Sequence, residues 1–311
     1  MKRTPTPSSV AILLCSYQGE SYIEDQLVSL IEQTHPRWRL FISDDGFRDR
    51  TLRIIQQFKL HHQINLQLFK GPKQGFAQNF IGLTKHPKVK STYYAWADQD
   101  DIWRKRKLER AVRWLDRQPA SLPLLYCSRT LLVDHLNRYM QPTPIFKQPK
   151  TFKNALTQNI AGGNTMVFNE KARQLFIKAA QHKNIPAHDW LMYQVVTACG
   201  GVVHYDETPS LRYRQHTKNM IGHNMGFKAG IARIRHILGG RYHTSNHNNI
   251  KALGLIYNHM TPQNRFTLDA FKVAGSASLV KRLLFLKRSG VYRHTFLQTL
   301  GLYIAVIVRK F

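Results

Sequence analysis

Along the first 130 residues, short apolar runs alternate with segments whose apolar residues recur at helical spacing. Residues 10–15 form a continuous apolar run ending in the turn-prone stretch 16–20, the pattern of a buried strand. Ile23, Leu27, Leu30 and Ile31 then share one helical face, predicting a helix over 22–33 that Pro36 stops. The same alternation predicts strands over 38–43, 64–69, 93–97 and 124–128, and helices over 50–58, 75–83 and 103–117. Strands and helices at this spacing imply an α/β fold with a largely parallel sheet. Further on, 151–213 is mixed, with an apolar stretch at 165–168, a helix near 170–182, and His188, Asp189 and Trp190 opening another apolar helix. No internal repeat is visible.

In parallel sheets ligands bind beyond the carboxyl ends of the strands. Three polar clusters fall at predicted strand ends: Ser16 with Tyr17, Asp44 with Asp45, and Asp98 through Asp101. Their coincidence predicts one site. The third cluster places Asp98, Asp100 and Asp101 within four positions, directly after the aromatic run Tyr93, Tyr94, Ala95, Trp96, Ala97. Carboxylates this close raise one another's pKa unless a cation neutralises them. Oxygen ligands at a strand end suit a hard divalent ion, Mg²⁺ or Mn²⁺, shared with substrate phosphates.

Composition sharpens this. The 311 residues carry 46 Lys and Arg against 18 Asp and Glu, a formal charge of +28, so crowded carboxylates need a reason. Such a charge predicts attraction to polyanions: nucleic acid, an anionic membrane surface or a phosphorylated substrate. Cys15, Cys127 and Cys199 are scattered and odd in number, which suits a reducing compartment rather than a disulfide framework. The apolar run at 10–15 is too short for a signal peptide, and no stretch reaches the roughly 20 apolar residues of a spanning helix. The expected location is cytoplasmic.

Ser16-Tyr17, Asp44-Asp45-Gly46, Asp98-Gln99-Asp100-Asp101, Gly162-Gly163-Asn164, His188-Asp189-Trp190 and Tyr213-Arg214-Gln215-His216 occur in that order. With these motifs the chain resembles the inverting family-2 glycosyltransferases of the GT-A fold, and within them the bacterial rhamnosyltransferase-like enzymes of cell-wall and polysaccharide assembly. The likeness runs from about residue 10 to 222. It implies a catalytic domain over 1–225, with a nucleotide-sugar half near 8–130 and an acceptor half near 131–225, followed by a basic helical region over 226–311. It also implies transfer from a nucleotide-sugar donor, most plausibly dTDP-L-rhamnose and alternatively a UDP-sugar, to a hydroxyl of a growing, lipid-linked glycan.

Roles follow for single residues. Tyr17 suits stacking on a pyrimidine, Ser16 lies beside it, and Asp44 suits accepting from a base imide, with Asp45 next for base or ribose. The resemblance gives Asp100 to the metal and Asp98 to the ribose or a water-mediated metal contact. Asp101 has the alternative of capping the helix expected from Trp103. The ion's purpose is to neutralise the leaving nucleoside diphosphate. Asp189 is the candidate general base, its alternative being a helix N-cap, and His188 orients it. Arg214 and Lys218 are expected to bring charge to the diphosphate, and His216 to serve as a further metal ligand or phosphate donor. Gly163 permits close backbone approach to donor sugar and acceptor. The resembled enzymes often carry Cys or Ser there, so any side-chain role is missing at this position.

Residues 226–311 hold 14 Lys and Arg and one acidic residue, Asp269, a net +13. Leu279, Leu283, Leu284 and Leu286 beside Lys281, Arg282, Lys287 and Arg288 suit an interfacial helix on an anionic leaflet, as do the apolar residues of 296–308. The expected position is peripheral, at the inner face of the cell membrane. Two rival readings fit less well. A nucleic-acid-binding module would set strand-end carboxylates against a phosphate backbone. A nucleotidyltransferase would carry a Gly-rich, Lys-containing phosphate loop after the first strand, and none is there.

Overall fold

The computed structural model describes residues 7–46, 48–216 and 241–308, with the side chains of 241–243 left aside. Lys218, expected near the diphosphate, lies outside the described residues. The first half runs β1 (Val10–Ser16), α1 (Ile23–Ile31), β2 (Trp38–Asp44), α2 (Thr51–His62), β3 (Leu66–Lys70), α3 (Phe76–Lys85) and β4 (Tyr93–Asp98). There follow β5 (Ile102–Trp103), α4 (Lys107–Leu115), β6 (Leu124–Ser128), β7 (Leu131–Val133), β8 (Tyr139–Pro142) and the short α5 (Phe152–Ala155). A 3₁₀ turn at Gly163–Thr165 leads into β9 (Val167–Asn169), α6 (Glu170–Ala179), α7 (His188–Ala198), β10 (Val202–Asp206) and β11 (Leu211–Arg214). Among the described residues four α-helices follow: α8 (Arg241–Gly254), α9 (Pro262–Ser276), α10 (Leu279–Ser289) and α11 (Phe296–Ile307).

Seven strands form one sheet in the order β10-β6-β9-β4-β1-β2-β3. Its described pairs are parallel except those of β9, which runs antiparallel to both β4 and β6. The expected α/β sheet is therefore present with one reversed strand. A second sheet, β5-β11-β7-β8, stands beside it.

Period-two alternation sets the core. In β1, Val10, Ile12 and Leu14 face a cluster with Ile23, Leu27, Leu30 and Leu108, under α1 and α4. Ala11, Leu13 and Cys15 face the other way, onto a cluster with Phe80, Trp96, Phe168, Phe176 and Met192. Leu253, Phe271, Leu286, Leu302 and Val306 of α8–α11 belong to that same second cluster. Both faces of the sheet are thus covered, which leaves its carboxyl edge as the open place for chemistry.

The helix expected from 103 starts at Lys107 instead, with Arg106 at its N-cap and no side-chain cap. Before it the chain stays extended: the Trp103 amide donates to Ser29 Oγ (2.9 Å) and the Arg104 amide to the Ser210 carbonyl (2.9 Å). Local helical periodicity yields there to cross-sheet pairing. Among the described residues no helix is long and apolar enough to cross a membrane.

Candidate active site

The three strand-end clusters do meet. In the β1–β2 register Ser16 lies beside Asp44, and in the β1–β4 register Cys15 lies beside Asp98. Ser16 Oγ donates to Asp44 Oδ1 at 2.5 Å, while Asp44 Oδ2 is buried without a hydrogen-bond partner. Burial raises the Asp44 pKa, and the Ser16 hydroxyl partly counters that. A buried acceptor left open at a strand end is what a ligand N–H would satisfy.

Asp45 turns toward the loop after β3. Its amide donates to the Ser16 carbonyl (2.8 Å) and its Oδ1 accepts from the Lys73 amide (2.8 Å). A Cβ on Gly71 would lie 2.1 Å from that same Oδ1, so glycine is required for the carboxylate to sit there. Tyr17 is 59% exposed at the rim, its ring beside Gly46. Its backbone is clamped by Gln99: the Tyr17 amide donates to Oε1 (2.9 Å) and Nε2 donates to the Tyr17 carbonyl (3.0 Å).

Asp98 and Asp101 both have raised pKa values, from burial first and then from neighbouring carboxylates. The downstream carboxylate of Asp189 is brought to the strand-end cluster by one turn, whose Gly163 amide donates to Asp189 Oδ2 (3.2 Å) and whose Asn164 side chain donates to Asp101 Oδ2 (2.6 Å). Asp101 caps no helix. It is fully buried, and its Oδ2 accepts from Asn164 Nδ2 at 2.6 Å while Oδ1 has no partner. The Asn164 carbonyl in turn accepts from Lys107 Nζ (2.7 Å), whose pKa burial pushes down to about 7. Sequence reasoning missed Lys107, although its helical spacing from Ala111 and Leu115 sets it on the buried face of α4.

His216 Nε2 lies 2.8 Å from Asp100 Oδ2, its ring stacked on Tyr22 at 4.8 Å between centroids. Arg214 does not reach outward to a diphosphate. It is buried, and its guanidinium donates to Asp25 Oδ2 (2.8 Å), the His135 carbonyl (2.9 Å) and the Asp100 carbonyl (3.2 Å), with Tyr22 against its face. A fully engaged fork of this kind braces the Asp100 loop against α1. Sequence reasoning missed Gln99, Tyr22 and Asp25 because their partners lie far along the chain.

Asp189 sits in the first turn of α7 and not at its N-cap, which is Ala187. Its Oδ2 accepts from the Gly163 amide (3.2 Å) and its Oδ1 from the Trp190 amide (2.7 Å). Burial nonetheless raises its pKa. His188 is buried with both ring nitrogens unpartnered, stacked on Phe80 (4.1 Å) and edge-on to Trp96 (4.6 Å). Burial alone pushes it down to about 3, so it is neutral. A Cβ on Gly163 would fall 2.5 Å from His188 Nε2, so the imidazole fills the place a side chain at 163 would take.

The doubly covered α/β sheet thus sets acidic strand ends beside a second buried carboxylate, Asp189. The chain belongs to glycosyl transferase family 2, whose family model matches residues 11–176, more than half of its length. It is 29% identical over 229 residues to the dTDP-rhamnosyl transferase RfbG of Shigella flexneri, covering 71% of this chain and 78% of that protein. In structure it is similar to S. aureus TarS in complex with UDP-GlcNAc, with a TM-score of 0.55 at 15% identity over 91% of this chain and 93% of that one. The mannosyltransferase PcManGT of Pyrobaculum calidifontis, in complex with GDP-Man and Mn²⁺, aligns with a TM-score of 0.50 at 16% identity, covering 98% and 86%. These likenesses give the fold as GT-A and the class of enzyme as a glycosyltransferase.

Proposed function

We propose that the enzyme transfers L-rhamnose, with inversion, from dTDP-L-rhamnose to a hydroxyl of a growing cell-surface glycan. The observation that carries this reading is the juxtaposition of the strand-end carboxylates with Asp189, made by adjacent residues of one turn: the Gly163 amide donates to Asp189 and the Asn164 side chain to Asp101. Similarity to a dTDP-rhamnosyl transferase favours the donor. Tyr17 would stack on the base and Asp44, with its open Oδ2 and its Oδ1 held by Ser16, would accept from it, while Asp45 would be next for base or ribose. Asp189, held by the Gly163 and Trp190 amides, would take the acceptor proton. The acceptor in this reading is a lipid-linked glycan met at the inner face of the cell membrane.

Asp98 and Asp100 fit a hard divalent ion, Mg²⁺ or Mn²⁺, with His216 beside Asp100 as a further ligand or phosphate donor. Among the described residues no three His, Cys, Asp or Glu side chains converge as a ready-made cage. An ion held by one or two carboxylates plus substrate phosphates needs none. Bound there, the metal would neutralise charge on the leaving nucleoside diphosphate.

A donor screen tests the reading: hydrolysis and thermal shift with Mn²⁺ against dTDP-rhamnose, UDP-glucose, UDP-galactose and UDP-N-acetylglucosamine. A preference for any UDP-sugar would replace the rhamnosyl assignment, an alternative that the likeness to TarS keeps in view. Asp189→Asn and Asp100→Asn should each abolish transfer, and only Asp100→Asn should weaken metal-dependent donor binding. Near-normal turnover of Asp189→Asn would remove it as the base.

A further inference from the structure

The last two helices expose apolar surface that the transfer site does not use. On α11, Phe296, Leu297, Leu300, Ile304 and Ile307 are 45–80% exposed. At 3.6 residues per turn they fall on one side of the helix, while Leu302, Ala305 and Val306 fall on the other and are buried. No charged residue occurs between Phe296 and Ile307. The face is held in place: Arg282 of α10 is buried and donates to the Val306 carbonyl at 2.6 Å, tying the last turn of α11 to its neighbour. On α10, Val280 (77%) and Leu284 (44%) are exposed as well, as are Lys281, Lys287 and Arg288.

Contiguous apolar surface of this kind marks an interaction site, and charge selects the occupant. Residues 226–311 carry a net +13. A second copy would set that charge against itself, whereas an anionic lipid surface neutralises it. At 12 residues α11 is about 18 Å long, short of the ~30 Å hydrocarbon core, so it would lie in the interface and not span it.

The segment leading into α11 is bonded to the acceptor side of the site. The Tyr292 carbonyl accepts from Thr157 Oγ1 (2.7 Å) and Asn154 Nδ2 (3.2 Å), and the His294 amide donates to Gln158 Oε1 (2.7 Å). Within the same segment the Ala155 carbonyl accepts from Nε1 of Trp190 (2.7 Å), the residue next to Asp189. We infer that the outer face of α11, flanked by the exposed basic residues of α10, docks the enzyme on an anionic bilayer, with the 154–158 segment linking that surface to the acceptor side. The lipid contact stands apart from the identity of the sugar; only its use, meeting a lipid-linked acceptor, rests on the transfer reading.

Flotation of the full chain with vesicles tests it, comparing equal parts phosphatidylglycerol and phosphatidylcholine with phosphatidylcholine alone. Recovery should be high with the anionic vesicles, fall as salt rises, and be low with the neutral ones. The double variant Leu297→Glu, Leu300→Glu should bind anionic vesicles at least about tenfold more weakly, with an unchanged melting temperature and unchanged donor hydrolysis in solution. Lys287→Glu with Arg288→Glu, which leaves the apolar stripe intact, should also weaken binding and flatten its salt dependence. Equal recovery with neutral and anionic vesicles, or undiminished binding by the Leu variant, would overturn the proposal. So would a wild-type dimer in sedimentation that the Leu variant splits without changing vesicle binding. Donor hydrolysis is read separately, so loss of the rhamnosyl assignment leaves the docking result standing.

Discussion

To serve as the proposed base Asp189 must be ionised, and burial holds its pKa above the ordinary aspartate value of about 3.9. The acid limb of kcat/KM should therefore lie above that value, with activity rising as pH rises through it. A limb at or below the ordinary range would point to another base. His188 makes a separate prediction about stability. The folded chain keeps it neutral down to about 3, whereas the unfolded chain protonates it below about 6.5. The unfolded state thus binds the extra proton, and stability falls as pH drops through the unfolded value. Near about pH 5 the loss is ~2 kcal/mol, and His188→Phe should remove most of it in urea titrations at neutral and acid pH. Gly163→Ser should cost about 1–3 kcal/mol, because the new Cβ meets His188 Nε2. Combining it with His188→Ala should recover much of that in a double-mutant cycle, and strict additivity would refute the shared-volume argument. The acidic residues of the site were legible because carboxylates at strand ends have little structural reason to be there. Gln99, Tyr22 and Asp25 were not, since each is defined by a partner tens of residues away that no local pattern announces.

At the scale of elements, one buried chain of polar contacts joins α4 to the 3₁₀ turn and to the end of β4: Lys107, the Asn164 carbonyl, the Asn164 amide and Asp101. Asp101 Oδ1 is already without a partner, so Asn164→Ala would strand the whole carboxyl group. The expected cost is about 1–3 kcal/mol or more, read as a lower denaturant midpoint. An unchanged midpoint would mean the carboxyl is solvated or repacks. The long apolar strands β1, β2, β4 and β6 and the helices α1–α3 lay where periodicity put them, within a few residues. The two-residue β5 and the polar β8 and β11 were unreadable, because what makes them strands is pairing across the second sheet and not their own composition.

For the molecule as a whole, the basic C-terminal helices are packed into the same core as the sheet: Leu286, Leu302 and Val306 share a cluster with Leu13 and Trp96. Sequence showed the charge of this region but not its inward face, since the apolar residues of α10 and α11 serve two surfaces at once. Removing 279–311 should therefore expose core surface and lower the melting temperature sharply. A truncated chain with a wild-type midpoint would show instead that the two parts fold independently.

The reversed β9 has a consequence for descent and design. Its three residues are held from both sides, by β4 and β6, and Asn169 at its end accepts from the Leu124 amide and from Ala172 at the start of α6. That anchoring fixes the turn just before it, Gly163–Thr165, where Asn164 meets Asp101 and the Gly163 amide meets Asp189. In the proposed reading this one turn touches the donor-side carboxylates and the candidate base together, so a lineage that reshaped it to decorate a new acceptor would disturb the grip on its donor as well.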